Sequence, residues 1–208
     1  MKILIDNGHG VDTPGKRSPD GKFREYAWTR ENARMVCDMF QAEGYDAELL
    51  VPEETDVPLA ERCRRVNEWC KKLGKENVLL VSMHVNAAGN GTRWCTARGW
   101  SIYTTKGITE ADNLAGCIYT MACRIFKKWW MVRSYSNAKL GHDYEENFYI
   151  LLHTYCPAVL IENFFQDNLK DVDYLNSDSG KACCAETVVE GVKLYLLYKE
   201  EGYKKIPF

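Results

Sequence analysis

"ILIDNGHG", Ile3–Gly10, is a short apolar run that ends in one imidazole held between two glycines. The run reads as a buried strand, and the glycines thin the backbone on both sides of His9. Outward from it, short apolar runs alternate with longer amphipathic segments. Glu25–Glu43 carries Ala33, Val36, Met39 and Phe40 at helical spacing and stops at Gly44. Tyr45–Val51 reads as a second strand. Val57–Leu73 reads as a helix with Leu59, Cys63, Val66, Trp69 and Cys70 on one stripe before Gly74. Val78–His84 is the strongest buried-strand pattern, and Gly99–Thr104 follows it. Thr109–Trp130 predicts a long helix, Phe148–Leu152 and Ala158–Glu162 two more strands, and Gly180–Tyr198 a closing helix. Strands separated by helices of this length need crossover connections. The expected class is α/β: a single domain with a mostly parallel or mixed twisted sheet and helices on both faces.

Length and composition agree with that class. A chain of 208 residues with 46% hydrophobic content buries a full core and suits one domain, residues 1–208, better than two. No internal repeat, low-complexity tract or Pro/Gly-rich linker marks off a second module. Lys plus Arg number 27 against 29 Asp plus Glu, a net charge of -2, so no basic surplus steers the chain to nucleic acid. The apolar stretches Val78–Met83 and Ala158–Ile161 fall far short of the ~20 residues of a membrane span. The nine cysteines are odd in number and sit in apolar contexts such as Cys37, Cys117, Cys123 and Cys156, as reduced core residues do.

Three strand ends carry chemistry. In open α/β sheets ligands gather at the carboxyl ends of strands. The first strand exits into Asn7-Gly8-His9-Gly10, the central one into "SMHVNA" with His84, and the late one into "PAVLIENFF" with Glu162. Apolar residues anchor each, so the side chains can converge with little drift. The first helix adds a carboxylate, Glu25 or Glu31, which its pattern alone does not separate; Glu25 equally suits the helix dipole as a first-turn acid. Two imidazoles and one carboxylate with an open fourth position form a recognised catalytic zinc set. Glu162 follows four apolar residues at an expected sheet centre, a costly place for a carboxylate unless it is paired or used.

"ILIDNGHG", Gly21-x-x-x-Glu25, "VSMHVNA" and "CPAVLIENFFQDNLKD" resemble, in order, the signatures of the zinc-dependent N-acetylmuramoyl-L-alanine amidases, the amidase-3 family of peptidoglycan hydrolases. The similarity spans about residues 3–175. The family opening usually reads Pro-Gly-His-Gly-Gly; here Asn7 and Val11 depart from it, beside the histidine rather than on it. The central motif is met by Ser82, Met83, His84 and Asn86, and the late one by Pro157, Leu160, Glu162, Phe165, Asn168 and Asp171. The resemblance implies one Zn²⁺ per chain held by His9, Glu25 and His84, with Glu162 as the catalytic carboxylate. It also implies peptidoglycan as substrate, cut at the amide joining N-acetylmuramic acid to L-alanine.

Further candidates are weaker. Asn86 either orients the loop or contacts substrate; His142, with Asp143 and Arg133 nearby in sequence, is a candidate substrate contact. Trp129 and Trp130 in "FKKWW" either stack on sugar rings or cover core at a helix end, and His153 suits the turn before Pro157. Two other classes compete: a zinc peptidase of carboxypeptidase type, and a catalytically silent wall-binding relative. The amino terminus shows no secretion signal. With no separate wall-binding module, the expectation is a chain made in the cytoplasm that acts on the cell wall, as a phage or prophage lysin does, or one whose signal has been removed.

Overall fold

The computed structural model describes residues 1–126, 131–134 and 143–202. Six strands form one mixed sheet: β1 (Lys2–Asn7), β2 (Asp46–Leu49), β3 (Val78–Asn86), β4 (Ser101–Thr104), β5 (Tyr144–Glu145) and β6 (Ala158–Phe165), in the order β2-β1-β3-β6-β4-β5. β2, β1, β3 and β6 run parallel; β4 is antiparallel to β6 and parallel to β5.

Among the described residues six α-helices cover the sheet: α1 (Glu25–Ala42), α2 (Leu59–Leu73), α3 (Glu110–Phe126), α4 (Tyr149–Leu152), α5 (Leu169–Asn176) and α6 (Asp178–Glu200). Strand periodicity divides the core in two. Ile3 and Ile5, Leu79, Val81 and Met83, Val159 and Ile161 face Val36 and Phe40 of α1, Leu114 and Ile118 of α3, and Val188 and Val192 of α6. Leu4, Val78, Leu80, Ala158 and Leu160 face Cys63 and Val66 of α2 and Ile150 and Leu151 of α4. Strands buried on both faces have apolar residues at every position rather than alternate ones, hence the near-continuous runs in β1, β3 and β6.

The segment Phe148–Leu152, expected as a strand, is instead the short helix α4 with Phe148 before it. Its Ile150 and Leu151 are buried while Tyr149 and Leu152 are exposed, a helical division that five residues are too few to reveal. Among the described residues β5, α5 within the polar tail of the late motif, and a 3-10 turn at Lys75–Asn77 went unread. Trp129, Trp130 and His142 lie outside the described residues.

The topology creates the crevice. The connection leaving β1 runs through α1 to β2 on one side, whereas the one leaving β3 runs to β4 beyond β6. The chain therefore diverges between the carboxyl ends of β1 and β3, where His9 and His84 lie partly exposed.

Candidate active site

His9 follows β1 with φ 64°, a left-handed conformation uncommon for a residue with a side chain. Hydrogen bonds hold it there. Arg30 Nη1 donates to the His9 carbonyl at 2.7 Å, and Thr29 Oγ1 to the Gly8 carbonyl at 3.1 Å. The flanking glycines answer two close approaches. A Cβ on Gly8 would fall 2.3 Å from Cε1 of His84, and one on Gly10 would fall 2.0 Å from the Asp56 backbone nitrogen. Below the loop, the buried Arg62 donates to Asp6 Oδ1 at 2.6 Å, to the Asn7 carbonyl at 2.9 Å and to Asp56 Oδ1 at 2.8 Å. Ser82 Oγ donates to the other oxygen of Asp6 at 2.5 Å, tying β1 to β3 just before both histidines.

Glu25 is the first residue of α1, and its side chain turns inward until the residue is 1% exposed. One oxygen, Oε1, lies 3.1 Å from His84 Nδ1 and 3.4 Å from His9 Nε2, and accepts the Val85 N–H at 3.0 Å. The two imidazoles meet edge to face with centroids 4.9 Å apart. Glu31, the alternative carboxylate, is exposed and pairs with Lys181. Burial alone would raise the Glu25 carboxyl. The His84 hydrogen bond, the close approach of His9 and the charges of both imidazoles outweigh that and hold it well below the usual carboxylate range. Burial opposes charge on His84 too, yet the Glu25 carboxylate keeps its imidazole above the ordinary value.

Glu162 is the direct cross-strand partner of His84 on β6, with Ser101 of β4 opposite on its other side. Its Oε2 is buried without a hydrogen-bond partner. Burial pushes its carboxyl up to about 8, with the His84 charge pulling the other way and Glu25 adding to the rise. Two carboxyl groups in one crevice thus have their protonation driven apart, the arrangement by which acid and base roles are divided.

The structure brings His9, Glu25 and His84 together, with Glu162 next to His84 on the adjoining strand. One ligand atom from each of His9, Glu25 and His84 lies within 4.8 Å of the others. His9 Nε2 is buried and makes no hydrogen bond, a cost that a cation at this point would remove. Two imidazoles and an ionised carboxylate match the donor chemistry of Zn²⁺. Asn86, two residues beyond His84, spends its side-chain oxygen on the Ala87 N–H at 2.8 Å. His153 stacks on Tyr149 and reaches its carbonyl through Nδ1 at 2.9 Å, within the turn before Pro157.

Three supporting residues escaped sequence reasoning. Arg62 sits three positions after Leu59, so a charge on the apolar stripe of α2 was its visible signal. Arg30 and Gln166 carried no comparable mark. Asn168 and Asp171 of the late motif shape the loop after β3. Asn168 caps α5 and donates to the Cys95 carbonyl, and Asp171 accepts the Gly99 and Phe165 N–H groups.

Comparison with known proteins places this architecture. AmiC, an N-acetylmuramoyl-L-alanine amidase of Neisseria meningitidis serogroup B, is 24% identical over 224 residues, which is 93% of this chain and 52% of that protein. The amidase CwlM of Bacillus licheniformis is 30% identical over 181 residues, 86% of this chain and 62% of its own length. The chain therefore spans about half to just under two thirds of these curated relatives. In fold it is similar to the crystal structure of an N-acetylmuramoyl-L-alanine amidase from Clostridium difficile 630, with TM-score 0.76, 23% identity, and 95% and 97% of the two chains covered. The family model Amidase_3, described as N-acetylmuramoyl-L-alanine amidase, matches residues 3–194, and the chain belongs to that family.

Proposed function

We propose that this chain hydrolyses the amide bond between N-acetylmuramic acid and L-alanine in peptidoglycan, with one Zn²⁺ held by His9, Glu25 and His84 and with Glu162 as the catalytic carboxylate. The observation that carries this reading is the set of three converging donor atoms from His9, Glu25 and His84, with Glu162 beside His84 on the adjoining strand and its buried Oε2 lacking a hydrogen-bond partner. Family membership and the names of the relatives support the substrate and its place in the cell wall.

When bound, Zn²⁺ would supply Lewis-acid polarisation of the scissile carbonyl and bring the pKa of a coordinated water from 15.7 to roughly 7. The residues of the chain do the rest. Glu25 stays ionised between the two imidazoles and keeps their rings turned toward one point. Arg30, Thr29 and the two glycines hold His9 in its left-handed turn, so the site is formed before substrate arrives. Glu162 takes a proton from the attacking water and hands it to the departing amine of L-alanine. A carboxyl whose proton affinity lies near neutrality can both accept and return that proton.

Mass spectrometry of muropeptides from purified wall tests the proposal. Whole stem peptides beginning with a free L-alanine amine are expected, lost on chelation and restored by Zn²⁺. Free amino acids would mark a carboxypeptidase instead, and zinc binding without any product would mark a silent wall-binding relative. Glu162→Gln keeps zinc while its rate falls by about 10²–10⁴. A variant that cleaves at near-normal rate removes Glu162 from the mechanism.

A further inference from the structure

The geometry points to Gln166 as a positioning residue that fixes which oxygen of Glu25 faces the two imidazoles; this rests on the metal centre proposed above. Gln166 is 2% exposed. Its Nε2 donates to Glu25 Oε2 at 3.0 Å and to the Val85 carbonyl at 3.2 Å. Both neighbours are acceptors, so only the NH₂ end of the amide can lie toward Glu25. The other end, Oε1, is buried with no partner. Packing alone gives no reason for that arrangement, because a methionine would fill the space without an orphaned acceptor.

A carboxylate turns about its last bond with nearly two-fold indifference. Around Glu25 the indifference is broken. Oε1 takes the Val85 N–H and faces His84 Nδ1 and His9 Nε2, while Oε2 takes the Gln166 amide. Gln166 thereby withdraws one oxygen from the imidazoles and presents the other. Its own placement depends on a bulge in β6. The pairing of β3 with β6 passes from His84 opposite Glu162 to Asn86 opposite Phe165, one residue more on β6, with Phe164 at φ 64°. The ladder then resumes with Gln166 N–H on the Asn86 carbonyl at 2.8 Å. Without the extra residue the phase of β6 would flip and turn Gln166 to the other face.

The test uses the full chain with Gln166→Met and Gln166→Glu. Zinc affinity is measured by competition with a chromophoric chelator, and melting temperature is measured with and without zinc. The expected result is a 10–100-fold weaker zinc affinity in Gln166→Met and a smaller rise in melting temperature on zinc addition, beyond any fall in metal-free melting temperature from the unpartnered Glu25 oxygen. Gln166→Glu, which sets acceptor against acceptor, weakens zinc at least as much and carries the comparison if the methionine variant does not fold. A lowered metal-free melting temperature with unchanged zinc affinity would reduce Gln166 to a packing role and overturn the proposal. A wild-type chain that binds no zinc would overturn the metal centre itself, a failure visible before any variant is made.

Discussion

At the scale of single residues, the glycines beside His9 are set by contact distance rather than by flexibility. Gly8 has no room for a methyl group because the His84 ring occupies that space, and Gly10 has none because the Asp56 backbone does. Gly8→Ala therefore pushes against an imidazole, which can rotate, instead of against a main chain, which cannot. The expected outcome is a protein that folds with near-normal stability but loses on the order of 10²-fold in activity, because a displacement of about 1 Å at a catalytic group has that effect. Circular dichroism and muropeptide release on the same sample check it. Wild-type activity in Gly8→Ala would mean that the His84 ring position is not critical.

At the scale of elements, the stretch from Glu162 to Asp171 is strand, bulge, cap and helix in ten residues, and its Asp167, Asn168 and Asp171 side chains each close a neighbouring segment. Asp167 accepts the Ala88 and Gly89 N–H groups, Asn168 caps α5 and reaches Cys95, and Asp171 binds Gly99 and Phe165. The loop from Ala87 to Gly99 is thus held by the motif that also carries Glu162. Asn168→Ala removes the cap of α5 and should cost about 1–2 kcal/mol in stability. Urea denaturation measures the loss, and limited proteolysis should show faster cleavage within residues 87–99. Unchanged stability and cleavage would show that the cap is redundant.

At the scale of the whole molecule, the crevice depends on two helical layers gripping a sheet that is apolar on both faces. One charged group crosses the α2 layer: Arg62, 2% exposed, against Asp6, 1% exposed. Removing one partner of such a pair strands the other charge in the core. Arg62→Met should destabilise the protein by about 3–5 kcal/mol, read from the denaturation midpoint, with the α2 to β1 contact the first lost. Double replacement with Asp6→Asn should recover part of that loss, and the absence of any recovery would sink the pairing. Among the described residues no helix is long and apolar enough to cross a membrane. All nine cysteines are free thiols, so the fold rests on packing and buried polar pairs.

Amino-acid order by itself determined the class of fold and the places where chemistry emerges. Doubly buried strands announce themselves as apolar runs; His9 follows the first of them, while His84 and Glu162, expected at strand ends, interrupt β3 and β6 two and three residues before those strands finish. Helix pattern left Glu25 and Glu31 level and family resemblance pointed to Glu25; the tertiary structure supplies the physical reason, because the choice depends on how the first turn of α1 meets β3, a contact 60 residues apart in sequence for Glu25 and Val85. It also turned Phe148–Leu152 into a helix, since an apolar run that short fits either element until its neighbours bury one side. Arg30 and Gln166 show the same limit from the other side. A side chain that holds a distant neighbour by a hydrogen bond leaves no periodicity behind, so distance in space is the only record of the contact.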